Sequence, residues 1–129
     1  MPYTIHADAD HVEVVLSGRL NYETIAGMLA ELADMALAAL PARLQVLVDE
    51  TDATPGLLGP REIRNWIDGW KRAELMKGRL AVVAPTMVMF GLNRMAHGLA
   101  GADAEEHLAV FRNRDDAMSW LLGGGPAGD

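Results

Sequence analysis

The sequence predicts one α/β domain in which a β-hairpin is followed by four βα units. Three observations lead to this prediction. Short runs rich in β-branched residues alternate with longer segments of helical periodicity along most of the chain. The later strand segments are apolar throughout, which is typical of parallel strands covered on both faces. Repeated βα units favour right-handed crossovers and therefore a mainly parallel sheet, here of five strands with about four helices.

The chain opens with the predicted hairpin. Residues 3–6 and 11–16 are the first two strands, and the polar stretch 7–10 forms the turn between them. A connection this short can join antiparallel strands but not parallel ones. We therefore expect the first strand to be the antiparallel exception in the sheet.

The first predicted helix covers residues 22–40. Asn21 is a suitable N-cap, and Pro41 ends the helix. Its larger apolar residues recur at helical spacing and form one stripe that can pack on the sheet.

The other three units follow the same order. Their apolar strands are predicted at residues 44–48, 80–84 and 106–111. Their helices are predicted at residues 60–76 and 86–97 and, after the N-cap Asn113, up to residue 122. Residues 1–122 are thus expected to form a single domain, with residues 123–129 as a flexible tail.

Composition excludes several classes of function. The net charge of −7 argues against general nucleic-acid binding, which depends on neutralising phosphates with basic residues. The chain has no cysteine, so disulfides and thiolate chemistry are excluded. Because no signal-peptide pattern or membrane-length apolar run is present, we expect a cytoplasmic protein without a transmembrane segment.

Catalytic and metal-binding patterns are also absent from the sequence. No serine lies in a nucleophile-elbow context, no histidines have metal-ligand spacing, and no glycine-rich phosphate loop is present. Asp49, Glu50 and Asp52 offer oxygen ligands, but successive acids point in different directions, and we interpret them as a solvated loop. The sequence therefore predicts a protein that is not an enzyme and has no cofactor or metal.

Several local strings carry a resemblance to a known family. These are residues 44–49, residues 79–84 (RLAVVA), and Val110-Phe111 followed by Ala117, Trp120 and Leu121. Together with the hairpin start, they make residues 3–122 resemble the SpoIIAA-like families, which include bacterial STAS domains and the STAS/SEC14-type group. The resemblance implies a non-enzymatic α/β domain.

The two branches of this group imply different functions. In the antagonist branch, partner switching is controlled by phosphorylation at an Asp-Ser-Ser-Gly-Leu motif. The matching stretch here is residues 52–57, in which Thr54 is the candidate phosphoacceptor. The SEC14-type branch implies a bound lipid or another apolar ligand.

Two predicted helices carry unusual apolar residues. Trp66 and Trp70 share one face of a helix that also bears basic residues, so they can pack on the sheet, lie on an anionic membrane surface or close an apolar pocket. In the next helix, Met87, Val88, Met89 and Phe90 are consecutive, so they cannot all face the sheet. Surplus apolar surface of this kind is typical of an interface or a pocket.

These features lead to two functional hypotheses. The first is a regulatory module that acts through protein–protein interaction and self-associates as a homodimer. The alternative is a carrier or sensor of an apolar small molecule or lipid. Either would use the residues Trp66, Trp70, Met87, Met89, Phe90 and Met95. A cavity between the two helices would favour the ligand, whereas adjacency across a two-fold axis would favour the dimer.

Overall fold

The computed structural model describes residues 3–39, 43–56, 59–72, 78–101 and 107–123. Within them, strands and helices alternate as predicted. The strands are β1 (Tyr3–Ala7), β2 (Val12–Arg19), β3 (Val46–Thr54), β4 (Leu80–Val83) and β5 (Leu108–Phe111). The helices are α1 (Tyr22–Ala39), α2 (Pro60–Arg72), α3 (Met87–Ala100) and α4 (Arg114–Gly123).

The five strands form one sheet in the order β1-β2-β3-β4-β5. β1 pairs antiparallel with β2, and the other neighbours pair in parallel. This arrangement confirms the predicted fold class, including the antiparallel first strand.

The helices lie on the two faces of the sheet in unequal numbers. Parallel strands placed in chain order, with crossovers of one hand, bring every connecting helix to the same face. Buried residues of α1, α2 and α3 accordingly share one core with the sheet, while those of α4 share a smaller core on the other face. The three-helix side is therefore the thicker layer of the domain.

The predicted limits of β3 are wrong. The sequence suggested a strand over residues 44–48 and then an acidic loop, but β3 continues to Thr54. β3 is longer because the neighbouring strand β2 extends to Arg19. After a register shift that follows Val15, β2 pairs with β3 residues as far as Thr54. The pairing along β2 overrides the low strand propensity of the acidic residues.

Other boundaries differ by a few residues. α3 begins at Met87 instead of residue 86, because Thr86 is the N-cap and its side chain accepts a hydrogen bond from the Met89 N–H. The same helix ends at Ala100, beyond the predicted residue 97. Gly123, predicted to begin the tail, is the last residue of α4. Four other predictions lie outside the described residues: the end of α2 at residue 76, the Pro41 stop, the start of the fifth strand at residue 106 and the remainder of the tail, residues 124–129.

The tryptophans of α2 face the sheet. Ile63, Trp66, Ile67 and Trp70 have the i, i+3, i+4, i+7 spacing of one helical face, and they pack in the larger core. Trp66 and Trp70 thus pack between α2 and the sheet. Since the apolar face of α2 is already covered by the sheet, it cannot also lie on a membrane surface while the helix is docked.

Candidate functional site: an apolar cavity with a buried carboxyl group

A cavity of about 120 Å³ lies between the sheet and helices α1, α2 and α3. Its walls come from alternate strand residues, which face the helices, and from the apolar faces of the three helices. Representative lining residues are Leu16, Val48, Val82, Met28, Ile63 and Ala96. The cavity is thus bounded mainly by apolar side chains and is partly open to solvent.

One ionisable side chain, Glu50, lies among the described residues that line this cavity. Val46, Val48 and Glu50 are alternate residues of β3, so they face the same side of the sheet. Glu50 is only 6% exposed. The interpretation of the acidic segment as a solvated loop is therefore wrong for Glu50, because continuation of β3 carries this residue into the interior.

Glu50 is held by a helix on the opposite wall. The Asn93 side-chain amide donates a hydrogen bond to Glu50 Oε1 at 2.5 Å and another to the Met89 carbonyl oxygen at 2.8 Å. Burial raises the pKa of the Glu50 carboxyl from its ordinary 4.5 to about 7, with the nearby Asp49 charge adding to the rise and the Asn93 hydrogen bond opposing it. Near neutral pH, a substantial fraction of Glu50 is therefore protonated and can donate a hydrogen bond.

Two further polar groups of the lining have unsatisfied hydrogen-bonding capacity. Trp66 Nε1 and Trp70 Nε1 are buried and have no hydrogen-bond partner among the described residues. Both tryptophans line the cavity. A buried donor without a partner costs roughly 1–3 kcal/mol, so such groups in a native structure require an explanation.

Trp66 also extends from the cavity towards the protein surface. Its ring stacks on Tyr22 with the ring centroids 6.0 Å apart, and Tyr22 is 44% exposed. The side chain of Trp66 itself is half-buried. The stacking thus joins the lining residue Trp66 to an exposed ring outside the lining.

The structure separates the six residues proposed as a ligand site or interface. Trp66 and Trp70 line the cavity, Met89 is 1% exposed, and Phe90 packs against the larger core. The remaining two, Met87 and Met95, are exposed. The six residues thus do not form one continuous surface, because successive helical residues point in different directions.

Thr54 is the exposed last residue of β3, not part of a loop as the sequence suggested. Its carbonyl oxygen accepts a hydrogen bond from Leu20 N–H at 2.8 Å. Phosphorylation of Thr54 stays a prediction.

Asp49 and Asp52 do not join Glu50 in a common site. Asp49 Oδ1 accepts hydrogen bonds from the backbone N–H and the hydroxyl of Thr51, while Asp52 is exposed. Within the described ranges, no group of three His, Cys, Asp or Glu side chains could hold a metal ion. In the same part of the chain, no helix has the length and apolar character needed to cross a membrane.

Comparisons with known proteins give a structural relative. Neither a protein-family model nor a curated protein sequence matches the chain. Among solved structures, the chain is similar to an uncharacterized DUF3478-family protein from Shewanella loihica PV-4 that has a SpoIIAA-like fold. The two share 19% sequence identity with a TM-score of 0.59, over 93% of this chain and 92% of that chain. The chain has a SpoIIAA-like fold.

This result confirms the resemblance at the level of architecture. A fold of this kind does not specify a ligand or partner, so function has to be argued from the site. Glu50 and Asn93 are the site residues that sequence reasoning missed. Val46 and Val48 are alternate residues, so extending the predicted strand by two residues would have placed Glu50 on the same, inward face. No local sequence pattern identifies Asn93 as the partner of Glu50.

Proposed function

We propose that this SpoIIAA-like domain is a non-enzymatic binding module that takes a small apolar molecule into the cavity. The observation that carries the proposal is the apolar space between the sheet and the helices, with the Glu50–Asn93 pair in its wall. Ligand sites in proteins have this character, being mostly apolar with a few polar groups that fix orientation.

The volume restricts the size of the ligand. A cavity of about 150 Å³ in another protein binds benzene, whereas drug-sized ligands occupy roughly 300–1,000 Å³. At about 120 Å³, this cavity suits a molecule close to benzene in size, or the apolar end of a larger one. A lipid would therefore enter with one end only, unless the helices move apart.

The cost of an empty cavity supports a binding role. Side chains that line an unfilled apolar space lack part of the packing contacts that a filled core provides. A ligand that fills the space restores the missing contacts. A packing core with no binding role would gain stability from one larger side chain at the same place.

The substitution Ala96→Leu tests the proposal by filling the cavity from α3. We expect the unmodified protein to bind benzene, seen as a raised melting temperature and in a calorimetric titration. Ala96→Leu should weaken that binding at least tenfold while the protein remains folded, because the leucine occupies the space. Gly91→Ala on the same helix is the matched control, since Gly91 is exposed and its added methyl group meets open space.

Two results would contradict this proposal. One is failure of the unmodified protein to bind benzene at concentrations near its solubility. The other is a folded Ala96→Leu protein that binds benzene as tightly as the unmodified protein, because the ligand would then lie elsewhere.

Self-association is a second candidate function, and the exposed apolar residues at the start of α3 favour it. Met87 is 80% exposed and Val88 63% exposed. Covering these side chains in a homodimer would remove apolar surface from water. In this candidate, the domain acts as a regulatory protein-interaction module.

Sedimentation over a wide concentration range tests self-association. We expect a concentration-dependent dimer that Met87→Glu converts to a monomer, because the added charge cannot be buried unpaired. Leu37→Glu on α1 is the control, since Leu37 is also exposed, at 56%, but lies on another helix. A strictly monomeric protein at the highest concentration would exclude this candidate.

A further inference from the structure

Glu50 lies where the pairing between β2 and β3 is irregular. At the register shift that follows Val15, two residues of β3, Glu50 and Thr51, stand opposite a single residue of β2. Two residues opposite one is the pattern of a β-bulge, and bulges are common next to functional sites because they redirect side chains. Glu50 and Ala53 are both buried although they are three residues apart, so the phase of the strand changes directly after Glu50.

Glu50 also lies at the carboxyl end of a neighbouring strand. β3 pairs with β4 as far as Asp49 and Val83, and β4 ends there, so Glu50 is one position beyond that end. In open α/β sheets, ligands bind near the carboxyl ends of the strands. The buried carboxyl group therefore occupies a part of the fold that is suited to binding.

The hydrogen-bonding capacity that remains in the Glu50–Asn93 pair includes a carboxyl oxygen. The Asn93 amide nitrogen has two N–H groups, and both already donate, one to Glu50 Oε1 and one to the Met89 carbonyl oxygen. Glu50 Oε2 has no hydrogen-bond partner among the described residues. It is also not one of their fully buried, unpartnered atoms, so it retains surface that a ligand in the cavity can reach.

The surroundings of Glu50 contain no positive charge among the described residues. Burial raises the pKa of the Glu50 carboxyl, the neutral Asn93 amide opposes this rise, and the negative charge of Asp49 adds to it. None of the described lining residues is a lysine, arginine or histidine. A buried glutamate without a cationic partner is rare in proteins. What the site lacks is therefore a positive charge that carries hydrogen-bond donors, and a ligand can supply both.

Resting on the proposed binding function, we propose that the ligand is a small primary amine whose ammonium group binds the Glu50 carboxylate and whose apolar group fills the space between the sheet and the helices. An ammonium group has one positive charge and three N–H donors, one of which Glu50 Oε2 accepts. A carboxylate or phosphate would instead meet the Glu50 charge without a positive partner. An alcohol would supply a donor but no charge.

The affinity for an amine should depend on pH, because ammonium binding and ionisation of Glu50 favour each other. The unliganded carboxyl has a pKa of about 7, so at about pH 6 most molecules must lose a proton before the ion pair forms. A simple alkylammonium resembles the lysine side chain, whose pKa is about 10.4, and stays charged throughout this range. Amine affinity should therefore rise roughly tenfold between about pH 6 and pH 8, and the affinity for uncharged ligands should not rise.

Three probes of similar shape separate the amine from its alternatives. Cyclopentylamine carries the ammonium group, cyclopentanol carries an uncharged donor at the same place, and methylcyclopentane carries neither. Binding to the full chain is measured by titration in ¹H–¹⁵N spectra at about pH 6 and pH 8. Salt at about 0.15 M screens the general attraction of an amine to the net charge of −7.

We expect cyclopentylamine to bind more tightly than both other probes at pH 8 and to lose most of this advantage at pH 6. If an uncharged probe binds as tightly as cyclopentylamine at pH 8, the amine proposal is wrong while the binding function stands. An amine affinity that is the same at both pH values would also overturn the amine proposal. If none of the probes binds, the binding function itself fails.

Glu50→Gln gives a second measurement, because glutamine keeps the shape of the side chain and removes its charge. In the folded variant, the affinity for cyclopentylamine relative to methylcyclopentane should fall at least tenfold, and comparing two probes within one variant cancels changes in the cavity. Asp52→Asn makes the same acid-to-amide change at an exposed position of β3 and should leave the ratio unchanged. A ratio that stays constant in Glu50→Gln would overturn the proposal.

Ala96→Leu shows whether the amine lies in the cavity or at acids on the surface. The leucine fills the space between the sheet and α3, so it should weaken the binding of cyclopentylamine as well as that of methylcyclopentane. If folded Ala96→Leu binds cyclopentylamine as tightly as the unmodified protein while methylcyclopentane binding is lost, the amine lies outside the cavity and the proposal is wrong.

Discussion

Replacement of Glu50 by glutamine should change how the stability of the domain depends on pH. Glutamine has nearly the same shape, and its side-chain oxygen can still accept the hydrogen bond from Asn93. The substitution therefore removes the titratable group while preserving its contact. Any difference between the two proteins across pH then reports ionisation of Glu50.

The direction of the effect follows from the raised pKa. In the unfolded chain the carboxyl ionises near 4.5, but in the folded protein its pKa is about 7. The folded state thus holds the proton over a range where the unfolded state has lost it. The resulting stabilisation is complete below pH 4.5 and is lost as pH rises through 7.

The size of the effect follows from the separation of the two pKa values. One pKa unit corresponds to about 1.4 kcal/mol, so the stability contributed by this group falls by roughly 2–3 kcal/mol between about pH 5 and pH 8. For a domain of this size, that corresponds to a change in melting temperature of about 10 °C. The Glu50→Gln protein should not show this loss of stability between about pH 5 and pH 8.

The assay is thermal and denaturant unfolding of both proteins from about pH 5 to pH 8, followed by circular dichroism. The difference between them cancels the contributions of the other ionisable groups. Asp52→Asn is the matched control, because it makes the same acid-to-amide change at an exposed position of the same strand. Parallel stability profiles for the unmodified protein and Glu50→Gln would refute the reasoning, since they would mean that Glu50 ionises freely in the folded state.

Two predictions concern the framework around the site. Gly91→Ala should raise the free energy of unfolding by about 0.5–1 kcal/mol, since alanine is the better helix former and the added methyl group meets open space; an unchanged or lower denaturation midpoint would contradict this. Arg79→Lys should lower the free energy of unfolding by about 1–2 kcal/mol. The Arg79 guanidinium lies 5.0 Å from the centre of the Trp120 ring and donates to the Trp120 carbonyl at 2.6 Å, and lysine cannot reproduce both contacts. Equal unfolding curves for Arg79→Lys and the unmodified protein would show that this contact does not hold α4 on the sheet.

Much of the fold could be predicted because its signals are local. The helical stripe at Ile63, Trp66, Ile67 and Trp70 and the apolar run of β4 identify their elements without reference to any distant residue. The short turn predicts the antiparallel hairpin, and the repeated βα units predict the parallel sheet. The candidate site was only partly predictable: the tryptophans were identified, but the groups that give the cavity its chemistry were not.

Periodicity within single segments is enough to predict the order of the elements and the apolar face of α2, while the SpoIIAA-like architecture followed from the resemblance of several strings. The burial of Glu50 depends on long-range pairing, since β2 must extend far enough to pair with the acidic end of β3. The contact between Asn93 and Glu50 likewise spans 43 positions of the chain and depends on how α3 packs against β3. The cavity arises from the packing of three helices on the sheet, and no single segment of sequence encodes how closely these layers approach.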